Sequence, residues 1–213
     1  MKKYAAEFIG TFGLVFCGTG AIIINEQTNG AIGHIGISIT FGLIILAMIY
    51  TFGDISGAHL NPVVTISFFF ANRFDKNEIL PYIISQIAGA FLATGVLKAL
   101  FPNNQNLGST IPSGSAFQSF VIEFILTYFL MLVIINVSQG SKEIGVLAGI
   151  AIGATVLLEA MFAGPISGAS MNPARSLAPG IFSGNIQTLW IYITAPVFGA
   201  VAATLTWRAM NTN

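Results

Sequence analysis

A seven-residue phrase occurs twice in this chain, as Ser56-Gly57-Ala58-His59-Leu60-Asn61-Pro62 and as Ser167-Gly168-Ala169-Ser170-Met171-Asn172-Pro173, with five of the seven positions matching. Each copy is a turn signal that ends in Asn-Pro and runs into a short apolar stretch, near 61–71 and 172–182. Asn is a favoured helix N-cap, and Pro is tolerated at the first helical position because its missing N–H would be unpaired there anyway. Each phrase therefore predicts the start of a helix. At about 1.5 Å per residue such a helix reaches only about half of a bilayer. Two half-length helices of this kind suggest a pore.

The rest of the chain has the composition of a membrane protein. It is 54% hydrophobic and 8% charged, with a mean hydropathy of +0.81, where a soluble domain carries about 25% charged residues. Six stretches, 4–25, 34–53, 79–101, 117–138, 143–164 and 187–209, approach the roughly 20 apolar residues that a span requires. The expected fold is an all-α membrane protein, a single channel domain over 1–213 with six transmembrane helices and two re-entrant half-helices. No length remains for a soluble catalytic domain. Met1-Lys2-Lys3 before an apolar stretch resembles a signal peptide superficially, but no clear cleavage site follows and more spans do, so it reads as the first span. A net charge of zero gives no support for nucleic-acid binding. The single cysteine, Cys17, excludes an internal disulfide.

Lys2, Lys3, Arg73, Lys76, Lys142 and Arg208 fall on one side of this arrangement, against Lys98 on the other. That bias places both termini in the cytoplasm, and the chain is expected among the lipids of the cell (inner) membrane. The duplication also extends beyond the Asn-Pro phrase. Glu7-Phe8-Ile9-Gly10-Thr11-Phe12 is echoed by Glu123-Phe124-Ile125-Leu126-Thr127-Tyr128, and Tyr82-Ile83 with Gly89-Ala90 by Tyr192-Ile193 with Gly199-Ala200. Gly42 and Gly153 hold matching places before the two phrases. Repeat one covers about 1–101 and repeat two about 117–213. Each holds three spans, an odd number, so the two are inserted in opposite directions and share a site near the midplane.

Irregular backbone cannot face lipid, because each unpaired N–H or C=O costs several kcal/mol there. The half-helices must therefore fold back inside the protein from opposite sides and line a watery path. Each helix N-terminus carries roughly half a positive charge, so two that face one another disfavour cations and protons. The amides of Asn61 and Asn172 can donate to a passing oxygen while their carbonyls cap backbone N–H groups. Arg175, three residues beyond Asn172, is a charge inside a membrane segment and by default functional. A guanidinium at a constriction donates hydrogen bonds and repels cations.

Glu7 and Glu123 are intramembrane carboxylates at matching repeat positions, read as holding the N–H groups of an irregular loop rather than relaying protons. Glu159 has Met48 as its counterpart and is open to three placements: the pore entrance, a neighbouring subunit or a buried partner. His59 reads as a pore-wall or loop hydrogen-bonder, since no second His, Cys or carboxylate clusters with it to bind a metal. His34 falls at the outer end of span two. Phe68, Phe69 and Phe70 suit lipid or core, and Gly89, Gly95, Gly199 and Ala203 suit close helix crossing. No nucleophile–base pair, metal cluster or cofactor motif is present, which argues against an enzyme.

On these residues the chain resembles the aquaporins of the major intrinsic protein family. The resemblance spans nearly the whole chain: six spans, two Asn-Pro half-helices, a Glu early in each half, and Asn172-Pro173-Ala174-Arg175-Ser176. One departure is Asn61-Pro62-Val63, where the family usually has Ala third. The first phrase, the stretch Gly164-Pro165-Ile166 through the second phrase, and Tyr192-Ile193 look most like the plant nodulin-like branch and its bacterial relatives. The resemblance implies a right-handed bundle, a pore in each subunit and a homotetramer.

The resemblance further implies an outer selectivity filter at Phe41, Ala160, Ala169 and Arg175, by their spacing from Asn61 and Asn172. Strict water channels place His at the position of Ala160. Glycerol channels pair a small residue there with a second aromatic at the position of Ala169. This chain fits neither pattern, and the opening it implies is wide and half apolar. Water and small neutral solutes such as glycerol, urea or metalloid hydroxides are the expected cargo. Ser176, where glycerol channels usually have Asp, tempers the glycerol expectation. A water-selective channel and a proton-coupled transporter are the competing readings.

Overall fold

The computed structural model describes residues 1–138 and 142–211, the side chains of 142–146 excepted. The side chain of Lys142, counted above in the charge bias, and the two last residues of repeat two lie outside what is described. Among the described residues eight helices follow in order: α1 (Lys2–Gln27), α2 (Gly33–Ser56), α3 (Pro62–Phe70), α4 (Lys76–Leu100), α5 (Ala116–Val137), α6 (Lys142–Ser167), α7 (Pro173–Ser183) and α8 (Leu189–Asn211). Helices α1, α2, α4, α5, α6 and α8 are long and apolar enough to cross a membrane. Helices α3 and α7, with 9 and 11 residues, are not.

Local chemistry explains where these helices begin and end. Asp75 caps α4 by accepting from the Asn77 N–H, and Ser115 caps α5 by accepting from the Gln118 N–H. Gly57 closes α2 and Gly184 closes α7, both in the left-handed region that L side chains avoid. Helix α6 runs through Pro165 to Ser167, farther than the apolar pattern predicts. Proline has no N–H for the carbonyl one turn earlier, that of Met161. The Nε2 of His34 lies 2.7 Å from this oxygen and donates to it in place of the missing amide.

The long helices pack as three close pairs, α1 on α4, α5 on α8, and α2 on α6. Small residues allow each approach. A Cβ added at Gly89 would stand 2.2 Å from the Phe8 carbonyl oxygen, and one at Gly199 would stand 2.3 Å from that of Phe124. Gly42 and Gly153 face one another across the α2–α6 crossing, each with its would-be Cβ against the other's carbonyl oxygen. Ala203 is fully buried, whereas a Cβ at Gly95 would make only ordinary contact with Phe182.

Apolar side chains such as Ile35, Leu43, Phe117 and Phe162 remain exposed around the outside. Buried polar groups, including Glu7, Gln86, Glu123 and Arg175, gather inside. This inside-out distribution suits a lipid surround and a hydrophilic interior. The aromatic run divides along the same line, with Phe68 in the core and Phe70 exposed. On the face that carries the chain ends, Lys3 pairs with Glu78 at 2.8 Å, and Arg73 donates to the Ile135 carbonyl at 2.8 Å while its guanidinium covers the Trp207 ring. The connections 28–32 and 101–115 lie on the opposite face.

Candidate functional site

The two phrases form a pair of loops whose backbone is bent sharply and held by buried carboxylates. Ala58, Leu60, Ala169 and Met171 all have positive φ, between 41° and 53°. Such a residue other than glycine costs on the order of 1–3 kcal/mol and persists only where its surroundings overdetermine it. Glu7, fully buried, does this for the first loop. Its Oε1 accepts from the Ser56 hydroxyl at 2.7 Å and the His59 N–H at 2.9 Å, and its Oε2 from the Leu60 N–H at 2.8 Å and the Gln86 amide at 2.7 Å. Glu123, also fully buried, accepts from the Ser167 hydroxyl at 2.7 Å, the Ser170 N–H at 2.9 Å and the Met171 N–H at 2.8 Å. Tyr82 and Tyr192 complete the match by donating to the Ser56 and Ser167 carbonyls.

The halves differ where their sequences do. Gln86 corresponds to Pro196, so Glu123 has no fourth donor from α8. His59 corresponds to Ser170. The His59 Nδ1 lies 3.0 Å from the Thr65 hydroxyl, and its ring stacks on Phe68 and packs against Phe74 and Tyr82. Ser170 instead meets the Ser176 hydroxyl, which accepts from Thr110 at 2.8 Å.

Each Asn-Pro pair starts a half-helix. Asn61 Oδ1 accepts from the Val63 N–H, and Asn172 Oδ1 accepts from those of Ala174 and Arg175. Pro62 and Pro173 are the first helical residues. The two amide nitrogens then cross between halves: Asn61 Nδ2 donates to the Met171 carbonyl at 2.8 Å, and Asn172 Nδ2 donates to the Leu60 carbonyl at 2.9 Å. The sequence suggests that these amides donate to a passing oxygen; it does not announce this bond between the halves. One N–H of each is spent on the opposite loop. Val63 is 1% exposed and turned into the core, so its extra bulk does not reach a cavity wall.

Two cavities approach this centre from opposite faces. One, of 640 Å³, runs from Tyr50 and Asp54 on the terminal face past His59 to Asn61 and Asn172. The other, of 480 Å³, opens on the far face beside Asn25, Glu26, His34 and Asn106. Four residues line both: Phe41, Ala160, Ala169 and Arg175. They come from α2, α6, the second loop and α7, and they stand where the two cavities meet.

Arg175 is 2% exposed, and its guanidinium carbon lies 5.2 Å from the centre of the Phe41 ring. Its Nη1 donates to the Gly108 carbonyl at 2.8 Å. The connection 101–115 thus supplies part of the site, and the Thr110–Ser176 bond fastens it one residue farther along α7. Glu159 is 3% exposed and is not among the residues lining either cavity, so it stands neither at a pore entrance nor on the outer surface. Among the described residues no group of three or more His, Cys, Asp or Glu is placed to hold a metal ion.

Comparison with known proteins agrees with this architecture. The model of the family described as major intrinsic protein matches residues 1–207. The chain belongs to the major intrinsic protein family. Among its relatives in that family, aquaporin NIP1-1 of Oryza sativa subsp. japonica is 47% identical over 203 residues, covering 95% of this chain and 72% of the relative. Nodulin-26 of Glycine max is 44% identical over 203 residues, covering 95% of this chain and 75% of its own length. Among solved structures, the aquaglyceroporin from Plasmodium falciparum superimposes with a TM-score of 0.86 at 29% identity, covering 97% of this chain and 94% of that one. The nodulin-like resemblance drawn from the two phrases and Tyr192-Ile193 agrees with these family relatives.

Proposed function

We propose that this family member is a passive transmembrane channel for water and small uncharged solutes such as glycerol. The observation that carries the reading is the meeting of the two cavities at Phe41, Ala160, Ala169 and Arg175. A solute crossing from face to face must pass these four side chains. Two of them are single methyl groups, one is an apolar ring and one is a cation. The wall is therefore greasy on one side and hydrogen-bonding on the other, as a polyol requires. Neutral metalloid hydroxides such as arsenous or boric acid have comparable size and donors and belong to the same proposed cargo.

Charge is refused by the same parts. A cation at the narrowing meets the Arg175 guanidinium, and one at the centre meets the positive ends of α3 and α7. The pore-centre residues are Asn61, Pro62 and Val63 with Asn172, Pro173 and Ala174; Glu7 and Glu123 support their loops from behind, and His59 is part of the wall. The chain is read as one channel domain of two inverted repeats, its termini cytoplasmic and its assembly a homotetramer in the cell (inner) membrane.

The test is a stopped-flow comparison of water, glycerol and arsenous acid uptake by the purified protein in vesicles. Permeation of glycerol and arsenous acid beside water, indifferent to proton or sodium gradients, is the expected result. Water flux alone would reduce the protein to a water-selective channel. Uphill accumulation driven by a gradient would make it a coupled transporter.

A further inference from the structure

Phe41 is the bulkiest member of the narrowing, so the width of the opening depends on where its ring rests. The ring rests on Gly18 of α1. A Cβ added at Gly18 would lie 2.2 Å from Cε1 of Phe41 and 2.6 Å from both Cδ1 and Cζ. No real side chain tolerates such distances, so one whole edge of the ring occupies space that any residue but glycine would fill. Gly18 is buried, and Phe41 is 8% exposed, its visible part being the wall of the two cavities.

We infer that Gly18 is a specificity-determining residue: it is the recess that draws the Phe41 ring back toward α1 and holds the opening wide enough for solutes larger than water. The inference rests on the assignment of Phe41 to the selecting narrowing and deepens it. Three observations separate this role from ordinary helix crossing. The glycines at the close crossings, Gly42, Gly89, Gly153 and Gly199, are packed against backbone carbonyl oxygens of the partner helix. Gly18 is packed against one side chain, with three atoms of a single ring nearest to it. The positions that match Gly18 and Phe41 in the second repeat are Ile134 and Ile152, which both line the terminal-side cavity, so the fold itself does not demand a glycine there.

The direction of the effect follows from what surrounds the ring. Over Cε1, against one face of the ring, stands the α1 backbone; 5.2 Å from the ring centre stands the Arg175 guanidinium. A methyl group at Gly18 pushes on the ring from the α1 side. Displacement away from α1 carries the ring toward Ala160, Ala169 and Arg175 and into the opening. Selectivity here is then set by a residue that the solute never touches.

The experiment compares water and glycerol permeability of vesicles holding wild type, Gly18→Ala, Phe41→Ala, the double variant and Ala160→His. In Gly18→Ala, glycerol permeability is expected to fall about tenfold, the order of discrimination one methyl group provides in a tight apolar site, while water permeability changes little. In the double variant, with no ring to displace, glycerol permeability returns to that of Phe41→Ala. If Gly18→Ala leaves the glycerol-to-water ratio unchanged while Ala160→His lowers it, the narrowing is where we place it and the role of Gly18 is overturned. If the double variant stays as tight as Gly18→Ala alone, the effect does not pass through the ring, and the inference fails. If neither Ala160→His nor Phe41→Ala changes the ratio, the assignment of the narrowing is itself wrong and the inference falls with it.

Discussion

The imidazole of His34 and the carbonyl of Met161 are joined at 2.7 Å because Pro165 cannot serve that carbonyl from within α6. The bond ties the start of α2 to the last turns of α6, one residue from Ala160 at the narrowing. A hydrogen bond of this kind contributes about 0.5–1.5 kcal/mol net. His34→Ala is expected to lower the thermal unfolding temperature in detergent by a few degrees, and His34→Gln, which keeps a donor, to recover most of the loss. Equal losses in both variants would mean that ring packing rather than the hydrogen bond matters at this point.

Ala160→His adds an imidazole to the narrowing opposite Phe41 and Arg175. Glycerol flux is expected to fall far more than water flux, since sterics dominate where a pore is one molecule across. Stopped-flow light scattering on vesicles reads both rates. A parallel fall of the two would displace the filter to other residues.

Arg175→Val removes the cation that faces the opening and frees the Gly108 carbonyl from its donor. The expected outcome is a proton or cation leak that wild-type vesicles lack, read with a pH-sensitive dye under a potassium diffusion potential. An unchanged leak would leave exclusion of charge to the two half-helix ends alone.

Glu7→Ala strips partners from the Ser56 hydroxyl, two backbone N–H groups and the Gln86 amide at once. Each buried donor left unpaired costs about 1–3 kcal/mol, and the strained φ at Ala58 and Leu60 loses its restraint. The variant is expected to yield little folded protein by fluorescence-detected size exclusion. Glu123→Ala, which strips three donors rather than four, is expected to be milder. The reverse order would show that the second loop relies more heavily on its carboxylate.

Much of this structure is written in short-range signals. Apolar runs of span length, and Asn-Pro before runs of half that length, announce eight helices whose ends fall within a few residues of those observed. The ends that differ have local causes: α2 continues to the glycine that can turn left-handed, and α6 continues through Pro165 because His34 relieves it. Contributions made by backbone atoms have no such signature. Nothing in the 101–115 sequence distinguishes the Gly108 carbonyl, although it holds Arg175. The same is true of the Leu60 and Met171 carbonyls that receive the two asparagines. Glu159 was equally illegible: it is buried, and its Oε2 has no hydrogen-bond partner.

The crossed bonds of the two asparagines also say something about how the protein is made. Glu7 and Gln86 can brace the first loop from within the first half, across separations of 53 and 79 residues. Asn61 must wait for Met171, 110 residues downstream, and Leu60 for Asn172, 112 downstream. Until that second half is made, the Asn61 amide has no Met171 carbonyl to meet. Closure of the pore centre therefore cannot precede the synthesis of residue 172, and a nascent chain halted after its first three spans has a loop but no channel.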